Sequence, residues 1–342
     1  MPSVLLVHEP NPPFETRHLV AQLSSRISGA QAVPLRPSRW RDTIRALRTP
    51  DRVVHAFGSR ALAVAVVLTR GQVIYSATRF PNRGAVAWLR AALRYRPIRV
   101  VCASDAERRA WVTGGVPMDA CTLVRPGVSL AMPAEAKRTA RQRFGYRDDE
   151  RVIFMPLPRV GHDRAVAIWT GALLNVLDAN VRVLAWSDGG NETLHALRPR
   201  LISPGSFDVL DDAAPDAGFA ASDAVLLPPS EIVSPTVVAM AMASGRPIVG
   251  RVTPQVCELL EDRHTALLTA GRTPRLLADR MIDVFSDAAL AQKIADRARA
   301  EAYEHLLPSR LAADFRTLYA SASHSKYASI DTSNAAVSRP PP

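Results

Sequence analysis

Residues Pro228 to Gly250 read PPSEIVSPTVVAMAMASGRPIVG, a loop, then a helix, then a buried strand. Ser234 and Pro235 form a helix start. The hydroxyl accepts from free backbone N–H groups, and a proline in the first turn has no N–H to leave unpaired. Thr236 to Ser244 is small and apolar, so this helix packs closely. Gly245 ends it. The preceding strand, Ala224 to Pro228, delivers the chain into an open loop. A helix that begins there presents unpaired N–H groups and a positive dipole end, which suits a phosphate or diphosphate.

The rest of the chain repeats this alternation. Strand patterns at Val4 to His8, Arg52 to Phe57, Gln72 to Ser76, Arg99 to Ala103 and Cys121 to Val124 are separated by helical spacings. Those helices span Thr16 to Ser28, Ser59 to Leu68, Asn82 to Tyr95 and Asp105 to Thr113. A second series starts at Arg151. Its strands are Val152 to Met155, Arg182 to Trp186 and Phe207 to Leu210. Its helices are Ala165 to Leu177, Asn191 to Leu197, Ala214 to Ala221 and Pro254 to Asp262, and a long helical stretch covers Pro274 to Ser321. Such alternation implies parallel, doubly wound α/β sheets. The expected organisation is one Rossmann-like domain over 1–130, a connecting segment over 131–150, a second such domain over 151–305 and a terminal helix over 306–322. Residues 323–342 are Ser/Ala/Asn-rich, end in three prolines and read as an unfolded tail. Two facing sheets leave a cleft beyond the carboxyl ends of their strands.

Composition narrows the function. The 342 residues are 47% hydrophobic, yet no apolar run reaches the roughly 20 residues of a membrane span. MPSVLLVHEP has no basic region before its strand, so the sequence predicts no signal peptide and a cytoplasmic chain, with peripheral residence at the inner membrane face as the variant. Three scattered cysteines, Cys102, Cys121 and Cys257, form neither a disulfide framework nor a metal cluster. Residues 1–134 hold 19 Arg, no Lys and 7 acidic residues, a net of +12 against +11 for the whole chain. The arginines lack an aromatic stacking pattern or a nucleic-acid motif. An anionic membrane surface or a lipid-phosphate acceptor fits this charge, as does a solvated surface in an arginine-biased composition.

The segment SPTVVAMAMASGRPIVG, with VCELLEDRHTALLTAGRTPRLLADRMIDVFSDAALAQKIADRARAEAYEHL, resembles the C-terminal domain of the retaining GT-B glycosyltransferases of family 4. DRVVHAFGSRA and VVCASDAERRAWVTGGVPMDACTLVRPGV are similar to segments of that family's first domain. The resemblance implies a GT-B fold. It also implies transfer of a sugar, with retention, from a nucleotide-diphosphate sugar to a glycan or lipid-linked acceptor, with no cofactor and no metal. It places the diphosphate on Arg159 and Arg164, in PLPRVGHDRA, and on the N–H groups of Thr236 and Val237 behind Ser234. His55 falls where the family sets a histidine near the reacting centre, and Glu231 is one residue from the place of a sugar-binding glutamate. His162, between the two arginines, is a weaker candidate for a phosphate contact, and Glu258 fits a family glutamate equally well explained as a helix-face charge. The family's ribose-binding glutamate falls at Met240, which has no acceptor. Its Gly-Gly loop falls at Asn11-Pro12-Pro13-Phe14. These departures keep open a second reading, a GT-B binding or partner protein with impaired catalysis. A nucleotide-sugar epimerase or a phosphorylase of the same architecture is a third, and for the phosphorylase no cofactor-binding lysine stands out.

Overall fold

The computed structural model describes residues 3–49, 52–129, 134–158, 162–201 and 203–324. The first lobe runs β1 (Val4–His8), α1 (Phe14–Arg26), β2 (Ala30–Pro34), α2 (Trp40–Leu47), β3 (Val53–Phe57), α3 (Ser59–Leu68), β4 (Val73–Ser76), α4 (Arg83–Tyr95), β5 (Ile98–Cys102), α5 (Asp105–Thr113) and β6 (Cys121–Leu123). Its six strands lie in the order β2-β1-β3-β4-β5-β6, all parallel. Side chains alternate between the two faces, and both faces are covered, so the strands read as continuous apolar runs. Leu5, Val7, Val54 and Ala56 pack under α2 to α5. Val4, Leu6, Val53 and Phe57 pack on the other side, under α1.

The second lobe runs α6 (Ala134–Phe144), β7 (Arg151–Pro156), α7 (His162–Leu177), β8 (Val181–Trp186), α8 (Asn191–Leu197), β9 (Phe207–Val209), α9 (Asp216–Ala221), β10 (Ala224–Leu226), α10 (Pro235–Ala243), β11 (Ile248–Arg251), β12 (Leu267–Thr269), α11 (Pro274–Ser286) and α12 (Ala288–His305). Its sheet order is β12-β11-β10-β7-β8-β9, again parallel. Two Rossmann-like domains therefore face each other, as the alternation implies. The connecting helix α6 packs on α9. Its buried Arg141 bonds the carbonyls of Ala221 and Glu150 and pairs with Asp223, which also accepts from the Val152 N–H (2.8 Å).

Some local expectations need correction. The helix expected over Pro254 to Asp262 is only a short 3-10 turn, Val256–Glu258. There Gln255 accepts from the Val233 N–H and Glu258 reaches across the cleft, so the segment serves its neighbours rather than a helix of its own. The stretch from Pro274 to Ser321 is three helices. Asp287 caps the second by accepting from the Leu290 N–H (2.9 Å), and Pro308 begins the third, α13 (Pro308–His324). The tail beyond His324 lies outside the described residues. Among the described residues no helix is long and apolar enough to cross a membrane.

Helix α13 leaves the second lobe and covers the same face of the first sheet as α1, beside it. Leu311, Phe315, Leu318 and Tyr319 join Leu6, Val20 and Phe57 in one core. Arg310 fixes the crossing by donating to the carbonyls of Arg125 (2.7 Å) and Pro126 (3.0 Å). The Val128 N–H donates to the Leu306 carbonyl (2.8 Å), so both interlobe crossings run side by side. Phe315→Ala should cost about 3–5 kcal/mol, as large buried side chains do. In a urea titration the first lobe should unfold earlier while the second keeps its transition. Simultaneous loss of both lobes would show that α13 does not belong to the first core alone.

Candidate functional site

The carboxyl ends of both sheets open into one interlobe cleft of about 1200 Å³. Asn11, Pro12, Pro13 and Phe14 form one wall. Leu157, Ser187, Asp188, Ser234, Val237 and Gln255 form the other. A smaller cavity of about 70 Å³ adjoins it between Glu15, Glu107 and Thr236.

The start of α10 reaches this cleft as the sequence indicates. Ser234 caps it, its hydroxyl accepting from the Val237 N–H (3.2 Å). Pro235 has no N–H. The Thr236 N–H is left as the first-turn amide without a hydrogen-bond partner among the described residues. One amide, not two, is therefore available to an anion. Gly245 closes the helix at φ 65°, a conformation that favours glycine, and its N–H returns to the Met242 carbonyl.

The structure brings Asn11, Ser234 and Val237 to the cleft wall and Thr236 to the adjoining cavity. Other expected residues lie elsewhere. Arg159 falls outside the described residues. Arg164 is buried at the start of α7, donates to the Gly190 carbonyl (3.0 Å) and is not among the described lining residues. Its guanidinium props the loop after β8, and burial lowers its pKa. His162 is exposed on the first turn of α7 and is likewise absent from the described cleft wall. Glu231 points its charge to Arg251 (2.6 Å) on the outer surface. The Gln255 bond to the Val233 N–H (2.9 Å) sets this loop so that Ile232 and Val233 line the cleft instead. Met240 lies in the second-lobe core, on the face of α10 that packs inward.

His55 is also corrected. It is fully buried, with Nδ1 bonded to the Tyr319 hydroxyl (2.8 Å) and Nε2 to Ser76 Oγ (2.9 Å). Its ring stacks on Phe57 at 4.1 Å. Helix α13 covers it, so it cannot touch a sugar in the cleft. Burial pushes its pKa down to about 3.

The site also uses residues that sequence reasoning passed over. Glu107 closes the cleft floor, accepting from the Ala103 N–H (2.8 Å) and from Trp111 Nε1 (3.4 Å). Burial raises its carboxyl to about 7. A readable signal existed, since Ser104 to Glu107 is a capping-box spacing, and Ser104 Oγ indeed accepts from the Glu107 N–H (3.1 Å). Asp188, at the end of β8, accepts from the Phe14 N–H (2.7 Å) and from Arg17 (3.3 Å). Glu258, which the sequence did single out as a family glutamate or a helix-face charge, accepts from the Asp105 and Ala106 N–H groups (2.6 Å each). Neither long-range partner is visible in local sequence. Among the described residues no three His, Cys, Asp or Glu side chains are grouped to hold a metal.

Residues 157–287 match the family model for Glycosyl transferases group 1. The matched span lies within the second lobe and includes α10. Among solved structures, HepE of Anabaena in complex with UDP-glucose aligns with a TM-score of 0.77 at 17% identity, covering 94% of this chain and 100% of its own. A glycosyltransferase from Rickettsia africae aligns at TM-score 0.75 and 12% identity, with 94% and 99% covered. Sucrose-phosphate synthase from Thermosynechococcus elongatus aligns at 0.70 and 14%, with 93% and 98% covered. No curated protein matches the chain. At these identities the structural likenesses speak for the fold, which is GT-B. The family match and the fold together support a GT-B glycosyltransferase.

The His55 geometry has a measurable consequence. Its pKa falls from 6.5 in the unfolded chain to about 3 in the fold, so the native state binds fewer protons between those values. The ring's contribution is complete above pH 6.5 and is lost as pH falls. Between pH 7 and pH 4.5 the stability advantage of wild type over His55→Gln should therefore shrink by about 2–3 kcal/mol. Urea unfolding at the two pH values measures it. An unchanged gap would show that the folded ring takes up its proton normally.

Proposed function

We propose that this chain transfers a sugar, with retention, from a nucleotide-diphosphate sugar to a glycan or lipid-linked acceptor. The observation that carries the reading is the start of α10, which opens into the interlobe cleft of a GT-B fold and lies within the glycosyltransferase match. The relative HepE was solved with UDP-glucose, which makes that compound the natural first probe.

The chemistry asks for positioning and charge stabilisation rather than a protein nucleophile. The bond from the anomeric carbon to the diphosphate oxygen breaks, and the acceptor oxygen bonds that carbon on the same face. The acceptor proton passes to the departing phosphate oxygen. The Thr236 N–H, the dipole of α10 and the Arg159 guanidinium carry the charge that develops on the leaving group. No carboxylate replaces the family's ribose clamp at Met240, so the donor binds more weakly than in a chain that has one. Losing a charge-assisted hydrogen bond costs about 1.5–3 kcal/mol.

Calorimetry should show UDP-glucose and pyrophosphate binding to the wild type. Arg159→Ala should weaken both about tenfold or more, the worth of one charge-assisted contact. Absence of binding to either compound in the wild type would leave the impaired-partner reading in its place.

The acceptor side suggests where the reaction takes place. Helices α2, α3 and α4 lie side by side on the outer face of the first lobe. Between residues 34 and 98 there are 13 Arg and only 2 acidic residues, Asp42 and Asp51. Arg39, Arg41, Arg45, Arg83, Arg90 and Arg94 are exposed there, and none joins an ion pair among the described residues. Trp40 (41% exposed), Trp88 (38%) and Tyr95 (83%) stand among them. Cations mixed with amphipathic rings suit an anionic bilayer surface. The chain should sediment with phosphatidylglycerol vesicles at low salt and leave them at high salt. Equal sedimentation with phosphatidylcholine vesicles would exclude this contact.

A further inference from the structure

The loop Asn11-Pro12-Pro13-Phe14 stands where a glycine loop would let a phosphate approach the backbone, and here that approach is already taken. The first amides of a helix have no partners within it. In α1 the first such amide is Phe14, and its N–H donates to Asp188 of the opposite lobe (2.7 Å). Pro12 and Pro13 offer no N–H at all. Arg17, one turn on, donates to the other oxygen of Asp188 (3.3 Å) and to the Ala213 carbonyl (2.6 Å). The Phe14 side chain crosses the gap as well. It is buried in the second lobe's core and meets Trp186 edge to face at 5.5 Å.

The same construction recurs at the other flank. In α5 the Asp105 and Ala106 N–H groups both donate to Glu258 of the second lobe (2.6 Å each). The next amide, Glu107, is capped by Ser104, whose hydroxyl also receives Gln255 Nε2 (3.4 Å). Helices α1 and α5 cover opposite faces of the first sheet. Two carboxylates thus seat on two helix starts, one on each side of the cleft. Charge-assisted bonds to backbone N–H groups at a positive helix end are among the stronger polar contacts.

We propose that Phe14, Arg17, Asp188 and Glu258 are positioning residues that clasp the two lobes together by the chain's own groups, so that the cleft keeps its width whether or not a donor is bound. A bound diphosphate then finds the Phe14, Asp105 and Ala106 amides already taken, while the Thr236 N–H at the start of α10 stays open to it.

The amides themselves report the clasp. First-turn amides exchange with solvent freely unless a tertiary contact protects them. In the ligand-free full chain, hydrogen exchange should be slowed about tenfold or more at Phe14, Asp105 and Ala106. Asp188→Ala should free Phe14 and leave the α5 amides protected. Glu258→Ala should do the reverse, and Arg17→Gln should partly free Phe14. The double variant Asp188→Ala/Glu258→Ala should show a larger radius of gyration by X-ray scattering, with the β3 amides still protected as a check on folding. UDP-glucose should leave the wild-type radius unchanged. Unprotected Phe14, Asp105 and Ala106 in the wild type would overturn the proposal, and that measurement stands even if a variant fails to fold. A double variant that folds with wild-type radius would overturn it too. Protected amides in a chain that binds no UDP-glucose would keep the clasp and remove the transferase reading.

Discussion

The structure is organised by one electrostatic demand: helix starts gathered at the carboxyl ends of two parallel sheets must find partners for their leading amides. The starts of α1, α5 and α10 are among those that meet at the interlobe cleft. Two are answered by carboxylates from across the gap, Asp188 and Glu258. The third, α10, is answered only in part, by its own Ser234 and by a proline that has no N–H to satisfy. The unequal treatment separates contacts that hold the lobes from the position where an external anion can bind.

The parts of the fold with local causes are legible in the sequence. Ser234, Pro235 and Gly245 set the ends of α10 through capping and backbone preference, and these signals are written within a few residues. The alternation of short apolar runs with helical spacings carries the doubly wound fold, because strands covered on both faces need continuous apolar sequence. Strand β2, Ala30–Pro34, has no fully buried residue and carries a glutamine, so it offers no such run. The short helix α2 and the three-residue β12 escape for related reasons: half of α2 is exposed, and β12 is too brief for a period.

The site is less legible because its partners are far apart in the chain. His55 sits in the middle of β3, and a helix more than 250 residues later closes over it. Glu231 carries the expected charge one place out of register, and Arg251 draws it to the surface. Phe14 looks like an obstruction in a ligand loop. In the fold it is a core residue of the other lobe. Each case turns on a tertiary contact that no spacing rule encodes.

The pairing of Val128 with Leu306 has a practical meaning for dissecting the gene. The chain enters the second lobe and leaves it at neighbouring points, and its last helix completes the first lobe. A fragment ending near residue 130 would expose Leu6, Val20 and Phe57, while the complementary fragment would carry an orphan apolar helix. Separating the halves cleanly calls for circular permutation, with the final helix fused ahead of the first strand, rather than a single cut.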